Sequence, residues 1–555
     1  MPGRFSMAWR LAIVLLLAAN GTFGAEPAPP VAPQAESAPA IPSPAELEAR
    51  GAVIGEVHIM VGDVFDTSIE GEDGWLYRTA NKLHINTREQ VVRDQLLFKP
   101  GDPYDDRVVR ETERLLRAND YMYDAAIVPV AYDGERVDLE VRTRDVWTLN
   151  PGISFSRKGG ENTLGAQLQE DNLLGTGRSL DFQWDDNVDR TSYGASYLDP
   201  HFLRSYTRFG VSYVNADDGS TKLLQLERPF YALDVRRAGG IHLLDSERND
   251  PRYVLGENVG EFNHREEYYE AYGGLSRGLE GRWAKRWTAG FTYERDRFAL
   301  DPVEPPAGPL PEDRTLAYPW LGFDLVEDGF QERVNQDQIS RTEDVLVGLR
   351  ASLKLGYAAE AIGADRDAVV MSASVRDGVD LRPGLSLFGS AGVSGRLEDG
   401  ELRNGLLGAE GRFYWTTSRR SKFFASVSGT AAEQLDAELQ LTLGGDNGLR
   451  GYPLRYQSGT GSALFTVEER VYTDWYPFHL FHVGAAAFAD AGRTWGDDVT
   501  GAAPLGWLSD VGVGLRLGNT RSGLGNVLHI DVAVPLVREP GIDSVQLLVE
   551  TRRSF

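Results

Sequence analysis

The sequence has 555 residues and a net charge of −25, since 82 acidic residues outnumber 57 basic ones. This acidity removes the positive field that binds phosphate backbones, so nucleic acid is not an expected partner. The absence of cysteine excludes disulfides, thiolate metal sites and a cysteine nucleophile, and a mean hydropathy of −0.32 excludes a bundle of transmembrane helices.

Residues 1–25 are predicted to be an export signal. Arg4 and Arg10 precede an apolar run over 11–19, which is shorter than the roughly 20 residues that span a bilayer as a helix. A retained membrane anchor is the alternative. Residues 26–50 are rich in proline and alanine, and they are predicted to be a disordered tether because they hold too little apolar surface to fold.

Residues 51–145 predict a small α+β domain. A strand comes first, and the polar stretch that follows it, up to residue 85, is interpreted as an insertion or a loop. Two helices come next, and Asp105 or Asp106 is predicted to cap the second one. Two strands joined by a hairpin complete the order.

This order of elements, together with the run Phe98-Lys99-Pro100-Gly101-Asp102-Pro103-Tyr104, resembles a POTRA domain of the outer-membrane assembly proteins. The resemblance implies a periplasmic domain that handles unfolded polypeptide. The physical route would be strand addition to an exposed sheet edge, because main-chain hydrogen bonds form regardless of side-chain identity. A spacer that only positions the following domain is the alternative.

Residues 146–555 show no persistent helical period. Turns rich in glycine, asparagine and aspartate separate alternating segments of about ten residues, which is the pattern of an antiparallel transmembrane β-barrel. In two segments near the C-terminus, apolar residues share one face while Arg516, His529 and Asp531 fall on the other. The apolar face can meet lipid, and the ionisable side chains are expected to point into the lumen. A soluble β-sandwich is the competing interpretation, because apolar and polar residues also alternate along its strands.

Three motifs in this region resemble the BamA/TamA superfamily of outer-membrane assembly proteins. The motifs are Leu443-Gly444-Gly445-Asp446-Asn447-Gly448-Leu449-Arg450-Gly451-Tyr452-Pro453, Phe488-Ala489-Asp490-Ala491-Gly492-Arg493-Thr494-Trp495 and Asp171-Asn172-Leu173-Leu174-Gly175-Thr176-Gly177. Leu449 and Tyr452 replace the valine and phenylalanine of the family's Val-Arg-Gly-Phe loop. The matches lie in both halves of the predicted barrel.

The first motif predicts a loop that folds back into the barrel and is anchored there. Arg450 offers a planar donor fork that a carboxylate such as Asp490 or Glu468 can satisfy in a partly dry lumen. Glycine at 451 permits close approach to the wall, and Tyr452 completes the anchor. The resemblance implies barrel-wall partners at Glu468, Arg470, Phe488, Asp490 and Gly492. An ordinary extracellular loop with a solvated arginine is the alternative.

The last strand, over 544–555, ends in Phe555, the terminal residue that barrel proteins present for their own assembly. The resemblance implies a weakly paired seam between this strand and the first one, near Val146 to Arg157, that can open laterally. Pro151 and Gly152 would weaken pairing in that first strand. A first strand that simply begins after Gly152 is the alternative.

The resemblance implies sixteen barrel strands, and the sequence offers more candidates than that. Five plausible strands follow residue 460, and up to sixteen precede it. Their sum is odd, whereas a barrel with both ends on one side needs an even number. Some candidates between about 297 and 445 are therefore expected to be loops or halves of one strand.

Enzyme chemistry is not expected. Gly274-Leu275-Ser276-Arg277-Gly278 fits the Gly-x-Ser-x-Gly pattern, but a nucleophile elbow also needs a following helix, and little helical signal follows. The eight histidines are dispersed, and no phosphate loop or dinucleotide fingerprint occurs. We therefore expect no catalytic residue, no metal and no cofactor.

The predicted protein is a barrel in a Gram-negative outer membrane, with its N-terminal domain in the periplasm. By resemblance it inserts or translocates proteins. Its expected partners are the lipid bilayer, unfolded or nascent outer-membrane or secreted proteins, and periplasmic accessory proteins. The alternatives are a dedicated two-partner-secretion-like translocator and a passive or lipid-handling pore, with a surface hydrolase last.

Overall fold

The computed structural model describes residues 41–521, 527–538 and 542–552. The predicted export signal over 1–25 and the terminal Phe555 lie outside these ranges. Within them, no helix has the length and apolar character needed to cross a membrane.

The N-terminal domain is a three-stranded sheet covered by short helices. Its elements are α1 (Pro44–Ala49), β1 (Val53–Gly62), α2 (Trp75–Leu83), α3 (Glu89–Arg93), α4 (Asp106–Arg117), β2 (Met122–Tyr132) and β3 (Arg136–Asp145). The strand order is β1-β3-β2, with β1 parallel and β2 antiparallel to β3. The predicted cap of α4 is confirmed, since the Asp105 side chain accepts a hydrogen bond from the N–H of Val108.

The predicted tether over 26–50 was too long at its C-terminal end. Residues Pro44–Ala49 form α1, and Leu47 is fully buried in the core of the N-terminal domain. Burial of Leu47 and the hydrogen bond that Glu48 accepts from the N–H of Asp106 tie this segment to the domain, although its composition predicts disorder. The polar stretch before residue 85 also contains a helix, α2, that its composition did not indicate.

The rest of the chain forms a closed antiparallel barrel of twenty strands, not the sixteen that the resemblance implied. The first ten wall strands are β4 (Leu149–Lys158), β5 (Glu161–Glu170), β6 (Ser179–Asp186), β7 (Thr191–Phe202), β8 (Thr207–Ala216), β9 (Gly219–Arg228), β10 (Arg237–Val254), β11 (Glu257–Glu280), β12 (Trp283–Leu300) and β13 (Arg314–Glu327). A separate hairpin follows, β14 (Phe330–Val334) and β15 (Thr342–Leu346).

The second half of the wall begins after that hairpin. Its first five strands are β16 (Arg350–Ala358), β17 (Ala368–Arg382), β18 (Leu385–Glu398), β19 (Glu401–Ser418) and β20 (Ser421–Glu433). A short separate pair follows, β21 (Leu441–Leu443) and β22 (Gln457–Gly459). The last five are β23 (Gly461–Tyr472), β24 (Phe481–Trp495), β25 (Leu508–Asn519), β26 (Val527–Pro535) and β27 (Gln546–Arg552). Short 3₁₀ turns occur at Leu173–Gly175, Glu360–Ile362 and Pro477–His479.

The five strands expected after residue 460 are confirmed, and the miscount lies before it. The hairpin β14–β15 and the pair β21–β22 are extended segments that join only each other, so they add nothing to the wall. Alternation along the chain identifies a strand, but it does not say whether that strand pairs with the wall or with its own hairpin partner. Because the number of wall strands is even, the first wall strand begins and the last one finishes on the same side of the barrel, the side of the N-terminal domain. We call that side the near end and the opposite side the far end.

The predicted alternation of wall residues is confirmed. On β25, Val511, Val513 and Leu515 are exposed on the outer surface, whereas Arg516, the residue after Leu515, is fully buried. On β26, His529 and Asp531 are likewise buried inside. The outer surface is therefore apolar in the way that lipid requires, and the lumen contains the charges.

The barrel closes between β4 and β27 at a seam. Among the described residues this seam has one partnered pair, Arg157 with Val549, whereas β4 and β5 share ten pairs. One ion pair, Lys158 with Glu550 at 2.7 Å, adds to it. The single pair lies at the far end of β4. Pro151, nearer the N-terminal domain, has a partner in β5 but none among the described residues of β27.

Candidate functional site

A long connection between β20 and β23 folds back over the far mouth of the barrel. We call its residues 441–459 the lid. The pair β21–β22 forms its stalk, and the tip turns inward so that Leu449 and Tyr452 are fully buried. These two side chains pack in one apolar cluster with Leu508 of β25, which fixes the tip against the inner wall.

Arg450 anchors the lid to the wall by a two-pronged hydrogen bond. Its Nε and Nη2 atoms donate to the two carboxylate oxygens of Asp490 at 2.7 and 2.9 Å. Its Nη1 atom donates to Glu468 Oε1 at 2.7 Å and lies 3.7 Å from Asp531. The Arg450 side chain is only 3% exposed, so the planar fork is satisfied by carboxylates in place of water.

The wall beneath the lid is shaped for this contact. The Arg450 guanidinium lies 3.4 Å from the centre of the Phe488 ring, a cation–π arrangement. A Cβ atom at Gly451 would come within 2.6 Å of Asp510 Cβ, and one at Gly492 within 2.8 Å of Leu443 on the lid stalk. Side chains at these two glycines would therefore force the lid away from the wall.

Tyr452 adds a second polar anchor at the lid tip. Its hydroxyl lies 2.9 Å from the carbonyl oxygen of Ser509 and 3.0 Å from that of Val537, and it accepts the N–H of Ser509 at 3.1 Å. The aromatic ring fills the apolar cluster while the hydroxyl satisfies main-chain groups at the far ends of β25 and β26.

The lid also spans the far mouth and reaches the seam. Arg455 pairs with both carboxylate oxygens of Asp189, at 2.8 and 2.7 Å, in the turn between β6 and β7. A Cβ atom at Gly159, in the turn between β4 and β5, would lie 2.2 Å from the N atom of Leu454. The lid therefore touches the loop that immediately follows the first strand of the seam.

A second closure enters from the near end. We call residues 330–346, the β14–β15 hairpin with its tip, the plug hairpin. Arg470 of β23 donates from Nη1 to the carbonyl oxygen of Gln336 at 3.2 Å, and Tyr414 of β19 donates to Asp337 at 2.9 Å. The carbonyl oxygen of Asn335 accepts from Lys422 of β20 at 2.6 Å. Three wall strands, β19, β20 and β23, therefore hold its tip.

Glu343 holds the tip of the plug hairpin together from within. Its carboxylate accepts the N–H groups of Gln336 and Asp337, each at 2.8 Å. Burial nonetheless raises the pKa of Glu343 from 4.5 to about 7. Because folding raises this pKa, protonation of Glu343 favours the folded hairpin. That contribution is complete below about pH 4.5 and is lost as the pH rises through about 7.

The lid and the plug hairpin share one ionic network. Glu468 accepts from Arg450 with one carboxylate oxygen and from Arg470 Nε with the other, at 3.0 Å. Arg470 also lies 3.9 Å from the centre of the Phe424 ring. Both arginines are nearly fully buried, so a single wall carboxylate joins the far-end closure to the near-end closure.

The N-terminal domain binds the plug hairpin at the near end of the barrel. Arg117 of α4 donates to both carboxylate oxygens of Asp344, at 2.9 and 2.6 Å, and to Glu332 at 2.7 Å. The guanidinium of Arg114 lies 3.9 Å from the centre of the Phe330 ring. The plug hairpin and α4 are therefore bound to each other at the near mouth.

The third motif docks the N-terminal domain onto the barrel. Asn172 donates to the hydroxyl of Thr87 at 2.8 Å, and the N–H of Thr87 donates to Asp145 at 2.6 Å. The turn is tight, because a Cβ atom at Gly177 would lie 2.8 Å from the hydroxyl oxygen of Tyr121. This motif therefore joins the two parts of the molecule.

The structure brings together the predicted loop residues Arg450, Gly451 and Tyr452 and the wall residues Glu468, Phe488, Asp490 and Gly492. Arg470 does not contact Arg450; it meets the same carboxylate from the other side. The sequence reasoning missed Asp531, Arg455 and the plug hairpin. A second arginine five positions after Arg450 was an available signal for the lid, but no local pattern marks the hairpin.

No protein-family model matches the chain, and no curated protein matches it. Several solved structures are similar to it at low sequence identity. BamA from Haemophilus ducreyi lacking POTRA domains 1–3 is 14% identical, with a TM-score of 0.36, over 90% of this chain and 85% of that one. CdiB from Escherichia coli is 15% identical, with a TM-score of 0.46, over 90% and 76%. CdiB from Acinetobacter baumannii is 12% identical, with a TM-score of 0.44, over 90% and 73%.

Replacement of Arg450 by alanine is expected to release the lid. It would leave Asp490 buried without its cation and Glu468 with Arg470 as its remaining partner, and breaking a buried ion pair costs about 3–5 kcal/mol. The chain has no cysteine, so Leu449→Cys supplies a unique buried probe. Maleimide labelling of that probe should accelerate at least about tenfold, the equivalent of 1.4 kcal/mol, in the Arg450→Ala background.

The matched control is Arg403→Ala, which removes a half-exposed arginine near the far end of β19. It should leave the labelling rate unchanged. The labelling rate in the Arg450→Lys background should lie between those of the parent protein and Arg450→Ala, because lysine keeps the positive charge but lacks the planar donor fork. Equal labelling rates in Arg450→Ala and the parent protein would refute the anchor.

Loosening the plug hairpin is expected to open the lumen. Arg117→Ala removes the grip of α4 on Asp344 and Glu332, so planar-bilayer recordings should show more frequent open events. The control is Arg110→Ala on the same helix, where the arginine is mostly exposed and pairs only locally with Asp106. Replacing residues 330–346 by a short glycine-serine turn should give the largest conductance. If that deletion conducts no more than the parent protein, the hairpin does not close the pore.

Proposed function

We propose that this chain is an outer-membrane insertase or translocase that assists the insertion or passage of proteins and carries out no enzymatic chemistry. The observation that carries the proposal is the seam. A closed barrel normally satisfies every main-chain group of its wall strands, because an unpaired group in lipid costs several kcal/mol. A seam with one partnered pair among the described residues is a local exception in an otherwise continuous ladder.

The seam supplies what insertion of a β-strand requires. In this proposal the main-chain donors and acceptors of β4 pair with an incoming strand where β4 has no partner among the described residues of β27. The pair Arg157 with Val549 and the ion pair of Lys158 hold only the far end. In this proposal the seam opens from the near end, and the client enters from the side of the N-terminal domain.

The N-terminal domain is proposed to receive the client in the periplasm, as a POTRA domain would. Strand β1 pairs with β3 on one side only, and along its other side the described residues contribute a single bridge, from Val53 to Pro103. An extended polypeptide can add to this edge without regard to its sequence. In this proposal an export signal over 1–25 delivers the chain to the periplasm, and a shorter tether precedes α1.

A dedicated translocator is the second candidate, and the lumen favours it. The lid and the plug hairpin meet on Glu468, so displacement of one weakens the hold on the other. A client passing through the lumen would have to move both. A passive pore is the weaker proposal, because both mouths are closed by buried, specific ion pairs.

Proteomics of outer-membrane fractions tests the proposal directly. A deletion strain would be complemented with the parent protein or with Arg450→Ala, using Arg403→Ala as the matched control. Loss of several β-barrel proteins, restored by the parent and by Arg403→Ala but not by Arg450→Ala, is expected for an insertase. Loss of a single surface or secreted protein would favour the dedicated translocator, and an unchanged proteome would contradict both.

A disulfide across the seam tests lateral opening. Arg157→Cys with Val549→Cys joins directly paired positions, and the absence of native cysteine leaves no competing thiol. Oxidation should abolish client insertion, and reduction should restore it. Val513→Cys with Val532→Cys joins paired positions inside the continuous wall and should leave activity intact. Full activity of the oxidised seam variant would rule out gating at this position.

A further inference from the structure

Helix α2 presents an apolar face that nothing in the described part of the chain covers. Trp75, Leu76 and Leu83 are 72%, 59% and 71% exposed. At 100° per residue these side chains, with Thr79 between them, fall within one side of the helix. Three large apolar side chains exposed on one short helix mark an interaction surface, whereas single exposed residues are common.

The opposite side of α2 fixes the helix to the near rim of the barrel. The hydroxyl of Tyr77 donates to the carbonyl oxygen of Phe478 at 3.1 Å, and its ring packs against Phe65. A Cβ atom at Gly71, just before the helix, would lie 2.8 Å from the His479 ring, so the approach there is close. The apolar face is therefore held outward by specific contacts.

The rim that holds α2 is itself apolar and exposed. Residues 473–480 form the near-end turn between the adjacent wall strands β23 and β24. In this turn Trp475 and Phe478 are 65% and 77% exposed. Aromatic residues at the ends of barrel strands lie where the hydrocarbon meets the headgroups. The face of α2 thus continues the lipid-facing surface of the wall beyond its last strand residues.

The charge of α2 also matches a lipid surface. The sequence of the helix is WLYRTANKL, which contains Arg78 and Lys82 and no acidic residue, in a chain with a net charge of −25. Both basic side chains are exposed, beside the apolar face. An apolar helical face flanked by cations is the arrangement that binds the headgroup region of anionic membranes.

We propose that α2 is an interfacial helix that lies in the headgroup region of the membrane leaflet at the near end of the barrel. Its ligand is anionic phospholipid, contacted by the apolar face, with Arg78 and Lys82 facing the phosphates. This inference rests on the membrane placement contained in the proposed function. It goes beyond that function by assigning a lipid-binding surface to the N-terminal domain.

A chain of contacts connects α2 to the segment that enters the first strand of the seam. Arg521 donates to the carbonyl oxygen of Val64 at 2.6 Å and pairs with Glu72, both in the segment that leads to the helix. The carbonyl oxygen of Arg521 accepts the N–H of Trp147 at 2.6 Å, two residues before β4 begins. Lipid binding by α2 would therefore hold the domain in register with the first strand of the seam.

Site-specific fluorescence in lipid vesicles tests the proposal. Single cysteines at Leu76 and Leu83 would be labelled with an environment-sensitive dye in the full chain and reconstituted in phosphatidylcholine–phosphatidylglycerol vesicles. With a nitroxide near the headgroup, both probes should lose about half or more of their fluorescence. Glu135→Cys, in the exposed β2–β3 turn, should lose none. Arg78→Glu with Lys82→Glu should reduce the quenching of both probes in anionic vesicles.

A probe on the barrel separates the two hypotheses. Val513→Cys lies on the outer surface of β25 and should be quenched by acyl-chain nitroxides if the barrel is embedded. Quenching at 513 without quenching at 76 and 83 would overturn the lipid-binding helix alone. Absence of quenching at 513 would overturn the membrane placement. Shielding of 76 and 83 only after addition of an unfolded client would also overturn the inference and assign the face to polypeptide.

Discussion

Arg450 places a permanent positive charge where almost no water reaches it, and this charge is paired with the carboxylates of Asp490 and Glu468 on the barrel wall. Removing a charge from water costs several kcal/mol, so this arrangement persists only while the fork and both carboxylates stay in contact. The lid can occupy the far mouth because this contact, the buried Tyr452 and the two close glycine approaches act together. Any client that uses the lumen must displace all of them.

Glu468, one of the two carboxylates that pair with Arg450, also connects the lid to the plug hairpin. Its two oxygens hold the lid through Arg450 and the plug hairpin through Arg470. Arg117 then connects the hairpin to α4, so one chain of polar contacts extends from the far mouth to the N-terminal domain. Such a chain couples the two closures only if each closure has an alternative arrangement. In the proposed function the seam, which has one partnered pair among the described residues, supplies that alternative.

The two ends of the seam differ in what surrounds them. At the far end, the Arg157–Val549 pair and the Lys158–Glu550 ion pair lie next to the turn that the lid touches at Gly159. At the near end, the chain enters β4 from the docked domain, and the proposed lipid-binding helix is tied to the same entry point through Arg521. In the proposed function the seam opens at its near end while these far-end contacts hold.

Much of this molecule follows from its sequence alone. Alternating apolar and polar residues identify a barrel with charges inside, because the side chains of a strand point alternately to its two faces. The resemblance of the Arg450 loop to a known family motif predicts an anchored loop, and the donor fork of Arg450 fits carboxylates such as Asp490 or Glu468. The strand number, the helix over 44–49, the plug hairpin and the near-rim helix were decided only by the tertiary structure. Each of these features depends on which distant segment a strand or an apolar side chain contacts. The local pattern of apolar and polar residues does not predict that partner.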